Sequence, residues 1–141
     1  MTNPSRPVRT GGCLCGGVRY EVRGALRPVI MCHCTQCRRT TGHFMAATAA
    51  CLHDFRLKAE SQLRWYQSSP QAQRGFCGRC GSTLFRKDAG RAYVSIAAGT
   101  LDDSSGLSVA GHIFVGDKGA YYDIDDGAPR FSDGALQVPW P

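Results

Sequence analysis

The sequence predicts a mainly β domain, on three observations. Short segments alternate apolar with polar residues and are rich in β-branched and aromatic side chains. The 17 glycines and 7 prolines are spread along all 141 residues as turn punctuation, which leaves room only for short elements. One short stretch alone, Thr35–Thr41, reads as a helical turn.

In chain order, the alternation predicts strands over Val18–Val22, Val29–Cys32, Phe44–Ala50 and Phe55–Leu57, then Leu63–Tyr66, Ala72–Phe76 and Thr83–Arg86. Tyr93–Ala97, His112–Val115 and Tyr121–Ile124 complete the set. Leu101–Leu107 reads as a turn or single helical turn capped by Asp102 or Ser104. Polar and Pro-rich residues mark 1–10 as a flexible start and 127–141 as a loose tail, with Trp140 able to pack back on the body. Residues 11–126 form the remaining unit.

Length fits one domain with its own core. Apolar residues at 43% exclude a disordered chain, and the longest largely apolar run, Phe44 to Leu52, is too short to span a bilayer. Net charge is +6, but the arginines are scattered, so no polybasic arm for nucleic acid is present. Residues 1–12 lack the apolar core of a secretory signal, which makes the cytoplasm the expected location. In that reducing setting the 8 cysteines point to metal or redox chemistry, not to a disulfide framework.

Their spacing is informative. Seven fall into three clusters, Cys13-x-Cys15, Cys32-x-Cys34-x-x-Cys37 and Cys77-x-x-Cys80, while Cys51 stands alone in an apolar run and reads as a small hydrophobe. Glycine-flanked close pairs let a tight turn aim both sulfurs at one cation. The simplest partition joins Cys13, Cys15, Cys77 and Cys80 in a closed, structural zinc site. Cys32, Cys34 and Cys37 then hold a second zinc with one position open to water, a thiolate or a protein ligand, a site suited to chemistry. His33, between two proposed ligands, reads as a proton carrier or a lining residue. His43 and His112 read as core or edge histidines, and His53 as solvated. Arg38 and Arg39 follow the triad and would hold an anionic thiol substrate through its carboxylates, or form a solvated basic turn.

Gly11-Gly12-Cys13-Leu14-Cys15-Gly16-Gly17, Cys32-His33-Cys34-Thr35-Gln36-Cys37-Arg38-Arg39 and Phe76-Cys77-Gly78-Arg79-Cys80-Gly81-Ser82, in that order, resemble the glutathione-dependent formaldehyde-activating enzyme and centromere protein V family. His112-Ile113-Phe114-Val115-Gly116-Asp117-Lys118 resembles that family's C-terminal segment. The resemblance implies an Mss4-like, or β-tent, fold of antiparallel sheets. It also implies a structural zinc on Cys13, Cys15, Cys77 and Cys80, and an activity-linked zinc on Cys32, Cys34 and Cys37. The implied reaction is that of a carbon–sulfur lyase joining glutathione, the co-substrate, to formaldehyde or a related small aldehyde. One departure is Tyr121, where relatives commonly carry Trp after Lys-x-x.

Two other classes fit the same cysteines. One is a zinc-stabilised module that binds nucleic acid or an acidic protein, against which the dispersed arginines count. The other is a redox sensor using Cys34 and Cys37 as a dithiol pair.

Overall fold

The computed structural model describes residues 7–140. Its elements are β1 (Val8–Gly12), β2 (Arg19–Arg23), β3 (Val29–Cys32), α1 (Thr35–Thr41), β4 (Met45–Cys51), β5 (Phe55–Ala59) and β6 (Leu63–Gln67). They continue as β7 (Ala72–Cys77), β8 (Thr83–Asp88), β9 (Tyr93–Ala97) and β10 (Val109–Ile113), with single 3-10 turns at Leu52–Asp54, Ala98–Thr100 and Val115–Asp117. The mainly β expectation holds. Strands β1-β2-β5 form a three-stranded sheet, and β10-β3-β4-β9-β8-β7-β6 a seven-stranded one. All pairs run antiparallel except β10 beside β3, which makes the larger sheet mixed.

Alternating burial explains how the sheets meet. On β2 the apolar Tyr20 and Val22 turn inward while Arg19, Glu21 and Arg23 stay partly exposed. Tyr20 of the small sheet packs edge-on against Phe85 of β8 at 5.3 Å, and Phe55 of β5 does the same at 5.3 Å. Val18, Leu84, Val94, Ile96 and Leu101 complete that core. β4 is central and covered on both faces, so its run of alanines provides the thin backbone that this crowding needs.

Several segments depart from expectation, each for a visible reason. β1 begins inside the stretch expected to be flexible, with Val8–Thr10, and runs on into Gly11 and Gly12. Its glycines hide a strand that exists through its register with β2, from Val8 opposite Arg23 to Gly12 opposite Arg19. Residues 1–6 of that stretch lie outside the described residues. Asp102 caps no helix, because its carboxylate accepts from the Arg19 guanidinium at 2.5 Å and from Thr10 Oγ1 at 2.6 Å. Tyr121–Ile124 is not a strand. Side chains satisfy its carbonyls in place of a ladder, with Lys118 Nζ donating to Tyr122 O and Arg130 Nη2 to Ile124 O. The tail is pinned: His112 N–H donates to Pro129 O at 2.8 Å, Phe131 N–H to His112 O at 3.0 Å, and Trp140 Nε1 to Ala25 O at 3.4 Å.

Candidate metal centres and the adjoining cavity

All eight cysteines are free thiols. The turn after β1 supplies Cys13 and Cys15, while the end of β7 and the turn into β8 supply Cys77 and Cys80. These four sulfurs lie within 4.8 Å of one another. Cys13 to Cys15 and Cys15 to Cys77 are each 3.6 Å apart. Sulfurs bound tetrahedrally at about 2.3 Å from one zinc ion would sit about 3.8 Å apart, so the spacing suits such an ion.

The donors around them also suit anionic sulfur. Val18 N–H points at Cys13 Sγ from 3.2 Å, Gly17 N–H at Cys15 Sγ from 3.4 Å, and the N–H groups of Arg79 and Cys80 at Cys77 Sγ from 3.4 Å. Ser82, whose hydroxyl lies 3.2 Å from Cys80 Sγ, leads the groups that draw the Cys80 thiol down to about 5. This cluster could hold a metal ion with every position filled by protein.

Cys32 ends β3, Cys34 is the N-cap of α1 and Cys37 lies in its first turn. Their three sulfurs also lie within 4.8 Å of one another. Cys34 Sγ accepts from Cys37 N–H at 3.4 Å, so the helix start aims donors at the sulfur. Hydrogen bonds from Cys32 and Cys37, then these backbone N–H groups, draw the Cys34 thiol down to about 2. The same contacts push Cys32 far above the ordinary thiol range. Three such close thiols ionise together only beside a positive charge, so this cluster too could hold a metal ion. Three donors leave a tetrahedral ion one further position. Arg74 supplies one fixed positive charge, with Nη2 3.6 Å from Cys37 Sγ, and it is itself buried.

Cys32 and Cys37 open onto a cavity of about 390 Å³. Its charged lining comprises Arg27, Arg74, Arg86 and Asp88, and the returning segment Gly134–Trp140 forms one wall. Arg38 and Arg39, expected at this position, are not among the lining residues. They lie on α1, with Arg38 half-buried and Arg39 exposed. Phe114 packs against the Cys32–Cys37 cluster with φ +54, a left-handed conformation rare for so bulky a residue.

His33 is fully buried and belongs to a directed hydrogen-bond chain. Asp126 Oδ2 can only accept, so His112 Nε2 donates to it at 2.8 Å, and with a neutral His112 ring Nδ1 is then an acceptor. His33 Nε2 therefore donates to His112 Nδ1 at 2.9 Å, and the Tyr122 hydroxyl donates to His33 Nδ1 at 2.5 Å. Burial, then the charges of His112, His43 and Lys118, pushes the His33 imidazole down to about 4, consistent with this neutral tautomer. His43 Nδ1 meets the exposed Tyr121 hydroxyl at 2.6 Å. His53 is exposed, and half-buried Cys51 places its sulfur within 4.8 Å of ligand atoms of His53 and Asp54. Sequence reasoning missed Arg27, Arg74, Arg86, Tyr122 and Asp126; no local pattern sets them apart from the other arginines, tyrosines and aspartates.

Three comparisons bear on this geometry. A family model described as glutathione-dependent formaldehyde-activating enzyme matches residues 8–117. A Schizosaccharomyces pombe protein named as an uncharacterized lyase is 27% identical over 128 residues, which is 89% of this chain and 92% of that protein. A crystal structure of a Rhodobacter sphaeroides protein is similar with TM-score 0.56 and 27% identity, covering 69% of this chain and 91% of the other. No helix among the described residues is long and apolar enough to cross a membrane.

Proposed function

The chain belongs to the glutathione-dependent formaldehyde-activating enzyme family, and from that membership and its two thiol clusters we propose that it is a zinc-dependent carbon–sulfur lyase acting on thiol–aldehyde adducts. The reaction is the reversible addition of a thiol, glutathione in the first instance, across the carbonyl of formaldehyde or a related small aldehyde. In the forward sense a C–S bond forms, the thiol proton ends on the former carbonyl oxygen, and no electrons are exchanged with a third party. S-(hydroxymethyl)glutathione is the product with formaldehyde. The cytoplasm, where glutathione is abundant and thiols stay reduced, is the matching location.

The observation that carries this reading is the convergence of Cys32, Cys34 and Cys37 beside a cavity. A bound zinc ion would supply Lewis acidity there, favouring a thiolate or polarising an aldehyde oxygen. The residues of the chain do the rest. Cys32, Cys34 and Cys37 are the ligands of the activity-linked ion, while Cys13, Cys15, Cys77 and Cys80 hold the structural one. Arg74 offsets negative charge at Cys37, and Met45, Ile113 and Phe114 pack against the cluster.

The test is a Cys34→Ser variant assayed for zinc content and for S-(hydroxymethyl)glutathione formation. Zinc is expected to fall from two ions to about one per chain, with lyase activity reduced about 100-fold or more. Wild-type activity with one ion missing would remove the triad from the chemistry.

A further inference from the structure

The cavity beside Cys32 and Cys37 is lined by more arginines than carboxylates. Three guanidinium groups, from Arg27, Arg74 and Arg86, share the lining with one carboxylate, Asp88. Arg86 Nη2 pairs with Asp88 Oδ1 at 3.0 Å and Arg27 Nη2 donates to Ala47 O at 2.9 Å. Arg74, only 5% exposed, donates through Nη2 to Gln36 Oε1 at 3.4 Å. The Nε atoms of both Arg74 and Arg86 are buried without a hydrogen-bond partner. An unpaired buried guanidinium N–H is costly, and these two arginines face each other across β7 and β8 and both line the cavity. Guanidinium donors are matched in geometry and charge to a carboxylate. A volume of about 390 Å³ is ample for a small organic acid.

We propose that Arg74 and Arg86, with Arg27, form a carboxylate subsite that selects thiol substrates bearing an acid group and positions them with their sulfur at the Cys32–Cys34–Cys37 cluster. The placement of the sulfur rests on the function proposed above; the subsite itself does not. Trp140 walls the same cavity, held by a T-shaped contact with Tyr93 at 5.7 Å, so it reports on occupancy. The other tryptophan, Trp65, stands on β6 stacked on Phe85.

The probe is S-methylglutathione, which keeps both carboxylates and has no free thiol, compared with its diethyl ester. Titration of the zinc-loaded protein is followed by calorimetry, with Trp140 fluorescence showing where the ligand sits. The acid is expected to bind at least tenfold more tightly than the ester and to change Trp140 emission. Arg86→Gln is expected to weaken the acid tenfold or more and leave the ester unaffected. Arg56→Gln, which removes a surface charge from β5, is expected to change neither. Equal affinity for acid and ester, unaltered binding by Arg86→Gln, or no binding to the wild type at millimolar concentration each overturns the subsite. Arginine-dependent binding in a protein that forms no S-(hydroxymethyl)glutathione would leave the subsite standing and remove the lyase reading.

Discussion

His33 shows how much one side chain can be constrained. It sits between two cysteines of the open cluster, yet both ring nitrogens are engaged, by Tyr122 and by His112. Because the folded protein favours the neutral ring, the unfolded chain binds the proton more readily. The His33 contribution to stability is therefore complete above pH of about 6.5 and is lost as pH falls toward 4. Nitrogen-15 NMR is expected to show His33 and His112 both as the Nε2–H tautomer at pH 7, with the His33 signals unmoved until about pH 5. A protonated His33 ring at pH 6.5 would contradict the directed chain. The sequence marked His33 as a residue of interest through its two cysteine neighbours. It could not reveal the partners, because His112 and Tyr122 lie 79 and 89 positions away and are joined to it only by folding.

Local chemistry fixed α1 well, and the expected Thr35–Thr41 matches the observed helix. Cys34 caps its start, and Gly42 ends it at φ +84 with its N–H donating to Arg38 O. β1 lies at the other extreme, since nothing in Val8–Gly12 alternates strongly enough to announce a strand. Two glycine substitutions separate these cases. At Gly42 an added Cβ meets nothing within 4 Å, so Gly42→Ala carries only the left-handed backbone penalty, about 1 kcal/mol. At Gly11 an added Cβ would sit 2.4 Å from Tyr20 Oη and 2.5 Å from Thr100 O, one of them rigid backbone. Gly11→Ala is expected to cost about 3 kcal/mol or more, by denaturant titration, as the small sheet is forced off its neighbour. The reverse order of the two variants would show that β1 does not set the sheet contact.

At the scale of the molecule, the Cys13–Cys15–Cys77–Cys80 cluster joins the end of the small sheet to the β7–β8 turn of the large one. Breaking it should loosen the whole body, while breaking the open cluster should not. Cys80→Ser is expected to lower Tm by about 10 °C or more, and Cys34→Ser by much less. Equal losses would mean that both clusters carry the fold. The partition into four sulfurs and three was legible because ligand number is written in the sequence. The cavity was not, because Arg27, Arg74 and Arg86 come from three separate strands or their approaches, and the wall comes from a tail that reads as unstructured.

The chain order of these clusters also bears on biogenesis. The ribosome delivers Cys13, Cys15, Cys32, Cys34 and Cys37 well before Cys77 and Cys80. An ion captured by the nascent polypeptide can therefore find four sulfurs early, in a grouping that the finished protein does not use. Were both clusters to hold ions as proposed, the late-emerging pair would have to draw Cys13 and Cys15 out of that provisional arrangement by stepwise exchange, and metal supply during translation would bear on the yield of correctly assembled protein.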